Sequence, residues 1–172
     1  MSGIIGAIGF NATQATECMY KALRHRGIPY GQRAGHMANG LTYSMKALGY
    51  TLISRFDCSS NSRIEIEDRR HSSFARASMH NSESLVLTRD SIGSFPLFYG
   101  SNDARTLCAF APERKALWAL GIERILRVEP GSVVTIRSPD DITVHAQERP
   151  EPFGARTSID LDDAAHRLLA LL

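Results

Sequence analysis

The sequence predicts an α+β fold of packed antiparallel sheets. Three observations point there: many short apolar or alternating runs, turn residues punctuating them closely, and only two or three helical patterns. At 172 residues the chain is long enough to bury one self-sufficient core.

Taken in order, the first strand is expected at 3–10, a run of glycines and isoleucines. Gly3, Gly6 and Gly9 recur every third residue, but Gly3 lies too near the terminus for a dinucleotide fingerprint; close backbone packing explains them. A helix follows near 13–25, with Asn11 or Thr13 as its cap and Met19, Ala22 and Leu23 facing inward. Short strands are expected near 41–45 and 49–53, and Asn39-Gly40 reads as a hairpin turn. Cys58-Ser59-Ser60-Asn61-Ser62 is a loop, and Ile64-Glu65-Ile66-Glu67 alternates as a half-exposed edge strand. Strands near 73–79 and 84–89 form a hairpin across Asn81-Ser82-Glu83. Pro96 bends the chain before a strand at 97–99, and 106–111 is a further strand. Pro112 opens a helix that Gly121 closes after Trp118 and Leu120. Glu129-Pro130-Gly131-Ser132 turns into strands at 133–136 and 142–144. Residues 148–158, rich in Pro, Glu, Gly and Arg, read as a linker. Beyond them, 159–172 form an amphipathic helix with an acidic first turn and Leu161, Leu168, Leu169 and Leu172 on one stripe.

Composition narrows the function classes. A net charge of +2 gives no electrostatic reason for a nucleic-acid or membrane partner, and no apolar run approaches the ~18 residues of a membrane span. Cys18, Cys58 and Cys108 are an odd set without Cys-x-x-Cys spacing, which argues against a disulfide framework and fits a reducing cytoplasm. The N-terminus lacks a basic leader, so a cytoplasmic protein is expected. The six histidines show no ligand spacing, so no metal is expected, and no cofactor is expected in this chain.

Four segments, in order, carry a resemblance. They are Met1-Ser2-Gly3-Ile4; Leu23-Arg24-His25-Arg26-Gly27; the block from Leu85 to Gly100 with Arg89, Asp90, Gly93 and Pro96 at fixed spacing; and Phe110-Ala111-Pro112-Glu113-Arg114-Lys115-Ala116-Leu117. Together they resemble the class II glutamine amidotransferase domain at the front of asparagine synthetases. There the pattern runs Met-Cys-Gly-Ile, His-Arg-Gly, Arg-Asp-x-x-Gly-x-x-Pro, then Phe-Ala-Ser-Glu-x-Lys-Ala-Leu. The resemblance implies an N-terminal-nucleophile (Ntn) hydrolase-like αββα sandwich, here shortened, over residues 1–147. It also implies a motif of Gly3, His25, Arg26, Gly27, Arg89, Asp90, Gly93 and Pro96, with Arg89 and Asp90 as a structural ion pair. In such hydrolases the terminal residue is the nucleophile, and its own α-amine, of pKa near ~8, takes the side-chain proton.

The departures from that pattern argue against glutaminase chemistry. Position 2 holds Ser2 where the family has cysteine, and a hydroxyl yields essentially no anion at neutral pH, unlike a thiol of pKa ~8.5. The arginine that anchors the glutamine carboxylate falls in register near Lys46, which lacks a bidentate fork; Arg55 is the other candidate. The Asn-Gly-Glu oxyanion loop and the aspartate for the substrate amine have no counterpart. Losing one oxyanion donor alone costs about a hundred- to a thousandfold in rate.

The expected function is therefore a glutamine-amidotransferase-like domain without glutaminase activity, supporting an ATP-dependent amide-forming synthetase domain or subunit. Its C-terminal helix would open or dock that synthetase. Two alternatives remain open: a working glutaminase with Ser2 as nucleophile and Lys46 or Arg55 as anchor, and a non-catalytic interaction module that self-associates.

Overall fold

The computed structural model describes residues 2–49, 63–70, 72–146 and 160–169. Among them, eleven strands form two sheets. The first sheet comprises β1 (Gly3–Gly9), β2 (Pro29–His36), β3 (Thr42–Leu48), β7 (Phe98–Ser101), β8 (Leu107–Ala111) and β9 (Leu126–Arg127), in the order β2-β3-β1-β8-β7-β9. The second comprises β4 (Arg63–Arg70), β5 (Ser73–His80), β6 (Ser84–Arg89), β10 (Ser132–Ile136) and β11 (Ile142–Ala146), in the order β11-β10-β6-β5-β4. Neighbouring strands pair antiparallel throughout.

The two faces of β1 explain the layering. All seven of its residues are buried, so it shows no polar alternation. Ile4 and Ile8 point between the sheets, where they join Met45, Phe110, Ile66, Met79, Leu87 and Val134 in one apolar core. Ile5 and Ala7 point the other way, into a second core with Met19 of helix α1 (Ala12–Ala22), Leu23 just after it, and Leu117 from α2 (Arg114–Trp118). The glycines of β1 are set by packing, as their spacing predicts. A Cβ on Gly6 would stand 2.4 Å from the Phe110 ring, and one on Gly3 would stand 2.8 Å from Pro112.

Several expectations are corrected. β2 had no sequence signal, because Pro29, Gly31 and Gly35 interrupt any alternation; its pairing with β3 makes it a strand. β3 is one continuous strand, not a first piece ending at 45, and Gly49 bends the chain after it at φ 79°. Residues 50–53 lie outside the described residues. α1 stops at Ala22, and the chain tightens into a 3₁₀ turn at Arg24–Arg26. Neither proposed cap side chain bonds to the helix start; Asn11 occupies the cap position with left-handed backbone and no side-chain hydrogen bond. Pro112 precedes α2 rather than opening it, since Glu113 holds the cap position; Gly121, at φ 71°, ends the segment as expected. β4 lies at a sheet edge as its pattern predicts, yet Glu67 on its second face is buried and accepts a bond from Arg76 at 3.1 Å.

Asn81 and Ser82 both take positive φ in the β5–β6 turn, as a tight hairpin needs. A third helix, α3 (Leu161–Leu169), carries Asp162 and Asp163 in its first turn. The expected linker at 148–158 and the loop at 58–62 lie outside the described residues. Among the described residues, no helix is long and apolar enough to cross a membrane, and no group of three or more His, Cys, Asp or Glu is placed to hold a metal ion.

Candidate functional site

Strand alternation decides where the side chain at position 2 points. Ser2 lies two residues before Ile4, so it shares Ile4's side of the strand and faces the gap between the sheets. Across that gap, Asp68 lies two residues after Ile66 and takes the same inward direction from β4. The two meet: the Ser2 hydroxyl donates to Asp68 Oδ1 at 2.7 Å. Asp68 is only 4% exposed. Burial raises its pKa, against which the Ser2 hydrogen bond and the Arg26 charge act.

A second cluster fixes the backbone of position 2. The Arg26 guanidinium donates from Nη1 to the Ser2 carbonyl at 2.5 Å and from Nε to the Glu113 carboxylate. Glu113 also receives His25 Nε2 at 2.9 Å and Lys115 Nζ at 3.1 Å. Burial works against ionisation there, but bonds from Arg26, His25 and Lys115 outweigh it and hold the carboxyl down to about 2. Lys115 Nζ also lies 3.4 Å from His25 Nδ1, so the hydrogen-bond pattern puts the imidazole proton on Nε2. The His-Arg-Gly tripeptide and the Phe-Ala-x-Glu segment, 87 residues apart in Arg26 and Glu113, thus form one device around the start of β1.

Arg89, Asp90 and Gly93 build the neighbouring loop, but not as an ion pair. Arg89, 2% exposed, donates to the carbonyls of Phe95 at 2.6 Å, Val128 at 3.0 Å and Gly93. Asp90 accepts backbone N–H groups from Phe74, Ile92 and Gly93. Consecutive residues leaving a strand point to opposite sides, so each satisfies separate backbone groups instead of its neighbour. Gly93 has φ 70°, and a Cβ there would stand 2.6 Å from Pro130. Pro96 lies in the same loop, ahead of the fully buried Leu97.

Lys46, the one carboxylate-anchor candidate among the described residues, does not lie beside Ser2. Lys46 pairs in register with Ile5, hence lies on the helix side of the first sheet; there its ammonium bonds to Glu17 of α1. Arg55 lies outside the described residues. Asn39-Gly40 sits in the β2–β3 turn, near the Ile8 end of β1 rather than the Ser2 end. There Asn39 bonds to the Arg137 carbonyl and the Leu41 N–H. An open cleft of about 830 Å³ occupies that far end too, lined by Gly9, Phe10, Asn11, Thr42 and Arg105. Cys108 is buried, which pushes its thiol up to about 11, and Cys18 Sγ donates weakly to the Ala119 carbonyl. Neither thiol is set up as a nucleophile.

Sequence reasoning missed Asp68 and gave Glu113 no role. The available signal for Asp68 was parity: Ile64, Ile66 and Asp68 continue one face of the strand, which places a carboxylate at an inward position.

No family model matches the chain, and no curated protein matches it with significance. Solved structures do. Glutamine phosphoribosylpyrophosphate (PRPP) amidotransferase from B. subtilis, complexed with ADP and GMP, aligns with a TM-score of 0.62 at 15% identity, over 84% of this chain and 49% of that one. A solved structure of the allosteric regulatory enzyme of purine biosynthesis aligns with a TM-score of 0.63 at 15% identity, over 84% of this chain and 48% of that one. The chain therefore shares the α+β, Ntn-hydrolase-like fold of these structures and spans about half their length.

Proposed function

We propose that this chain is a glutamine-amidotransferase-like domain that does not hydrolyse glutamine and supports an ATP-dependent, amide-forming synthetase of the asparagine-synthetase type. The observation that carries the reading is the state of position 2. Its side chain is a serine whose hydroxyl is committed to a buried carboxylate 2.7 Å away. A hydroxyl yields essentially no anion at neutral pH, its proton here is hydrogen-bonded to Asp68, and Lys46, the cation in the anchor register, serves Glu17 on the opposite face.

The finer likeness to asparagine synthetases is supported by the meeting of His25, Arg26 and Glu113, which the chain order alone leaves far apart. In this reading 1–147 is the amidotransferase-like domain, 148–158 a linker, and 159–172 the element that opens or docks the synthetase. The acidic first turn of α3 is consistent with that last part. A synthetase that takes free ammonia, or an amine of its own substrate, needs no glutaminase from this domain.

Ammonia release from glutamine by the purified chain, beside a heat-inactivated control, tests the proposal. No release above the control is expected. Turnover by the serine form would overturn it and make Ser2 a working nucleophile.

A further inference from the structure

We propose that Asp68 is an electrostatic gate on position 2: its carboxylate opposes ionisation of the side chain there, of an introduced thiol as of the native hydroxyl. The inference rests on reading position 2 as the nucleophile position of this fold. It goes further in making the serine only one half of the lesion.

The geometry leaves Asp68 little freedom. Its backbone is held in register opposite Ala75, between the Glu67–Arg76 and Arg69–Phe74 pairs of the β4–β5 ladder. Its Oδ1 stands at hydrogen-bond distance from the side chain of residue 2, and at 4% exposure solvent screens it weakly. The residue opposite on β5 is a neutral alanine. The charges that act on Asp68 are Arg26, from the 3₁₀ turn, and the chain's amino group. Arg26 is itself committed to Glu113 and to the Ser2 carbonyl. The nearest formal charge to the side chain at position 2 is therefore negative.

A like charge this close disfavours a second anion and raises the partner's pKa. A carboxylate, with an ordinary pKa near ~4, is ionised where a thiol near ~8.5 titrates, so it opposes the thiolate and competes with whatever base would take the proton. Since the thiolate is the nucleophile, a cysteine here would be less reactive than the same cysteine without Asp68 beside it. Replacing Asp68 by asparagine keeps an oxygen acceptor in place and removes the negative charge, leaving the positive charges of Arg26 and the amino group, which favour the thiolate.

The experiment compares Ser2→Cys with Ser2→Cys/Asp68→Asn. Alkylation of the thiol introduced at position 2 by iodoacetamide is followed from neutral to alkaline pH, with mass spectrometry of the N-terminal peptide separating it from Cys18, Cys58 and Cys108. The thiol pKa is expected to fall by about one unit or more on adding Asp68→Asn, with roughly tenfold faster alkylation at neutral pH. Equal ionisation in the two variants would overturn the proposal. Labelling of the buried Cys108 reports whether the double variant has unfolded. In that event Ser2→Ala in the otherwise native chain decides, with the Asp68 carboxyl carbon followed by NMR. Loss of the hydroxyl should raise the Asp68 pKa, and an unchanged titration would overturn the coupling. Failure here leaves the native chain's glutamine assay untouched, whereas glutamine turnover by the serine form sinks the functional reading whatever the introduced thiol does.

Discussion

Three donors converge on the single carboxylate of Glu113, and that convergence has a pH signature. Its folded pKa, about 2, lies below the ordinary glutamate value of about 4.3, so its contribution is fully present above that value and is lost as pH falls toward 2. The depression corresponds to at most about 3 kcal/mol, and less after screening, because His25 and Lys115 are themselves partly exposed. Urea titrations at pH 7 and pH 2.5 should show the native chain losing about 1–3 kcal/mol more than Glu113→Gln on acidification. Equal losses would mean the cluster is solvated and idle. Asp68 has the opposite sign: burial raises its pKa, so its cost appears as pH rises past the unfolded value. A buried carboxylate that costs stability at neutral pH, set against position 2, is the kind of local expense associated with functional sites.

At the scale of elements, α1 is fastened to the first sheet by apolar packing and by one charged contact. Lys46 is 3% exposed on β3 and has Glu17 of α1 as its partner, with Glu17 half-exposed. Removing one partner of such a pair strands the other, whereas an apolar replacement of the buried cation can be neutral. Glu17→Ala should therefore cost about 1–3 kcal/mol in a thermal or urea melt, while Lys46→Met should be neutral within about 1 kcal/mol. If Lys46→Met instead left the fold intact but removed a measurable affinity for glutamine, Lys46 would be an anchor after all. The strands with a clean signal, β1, β5, β6, β8 and β10, were legible because apolar alternation or full burial is written locally. β2 was not, since its eight residues include a proline and two glycines and it exists as a strand through its pairing with β3.

For the whole molecule, the question is whether the chain acts through a partner. If α3 mediates self-association, a chain shortened to end at Arg156 should drop to a smaller species by light scattering. An unchanged mass would remove that helix from the contact and favour a role toward a separate synthetase. Position 2, the His25-Arg26-Gly27 and Arg89-Asp90 motifs and the α+β class were readable in the sequence, because each rests on residue identity and short-range spacing. The tertiary structure alone decided that Ser2 faces Asp68, 66 residues away. It also turned Lys46 from the expected anchor toward Glu17, and made Glu113 the hub of His25, Arg26 and Lys115. The physical reason is that spacing along a chain fixes which face a side chain takes, while the neighbour across that face is set by how strands are ordered and sheets stacked.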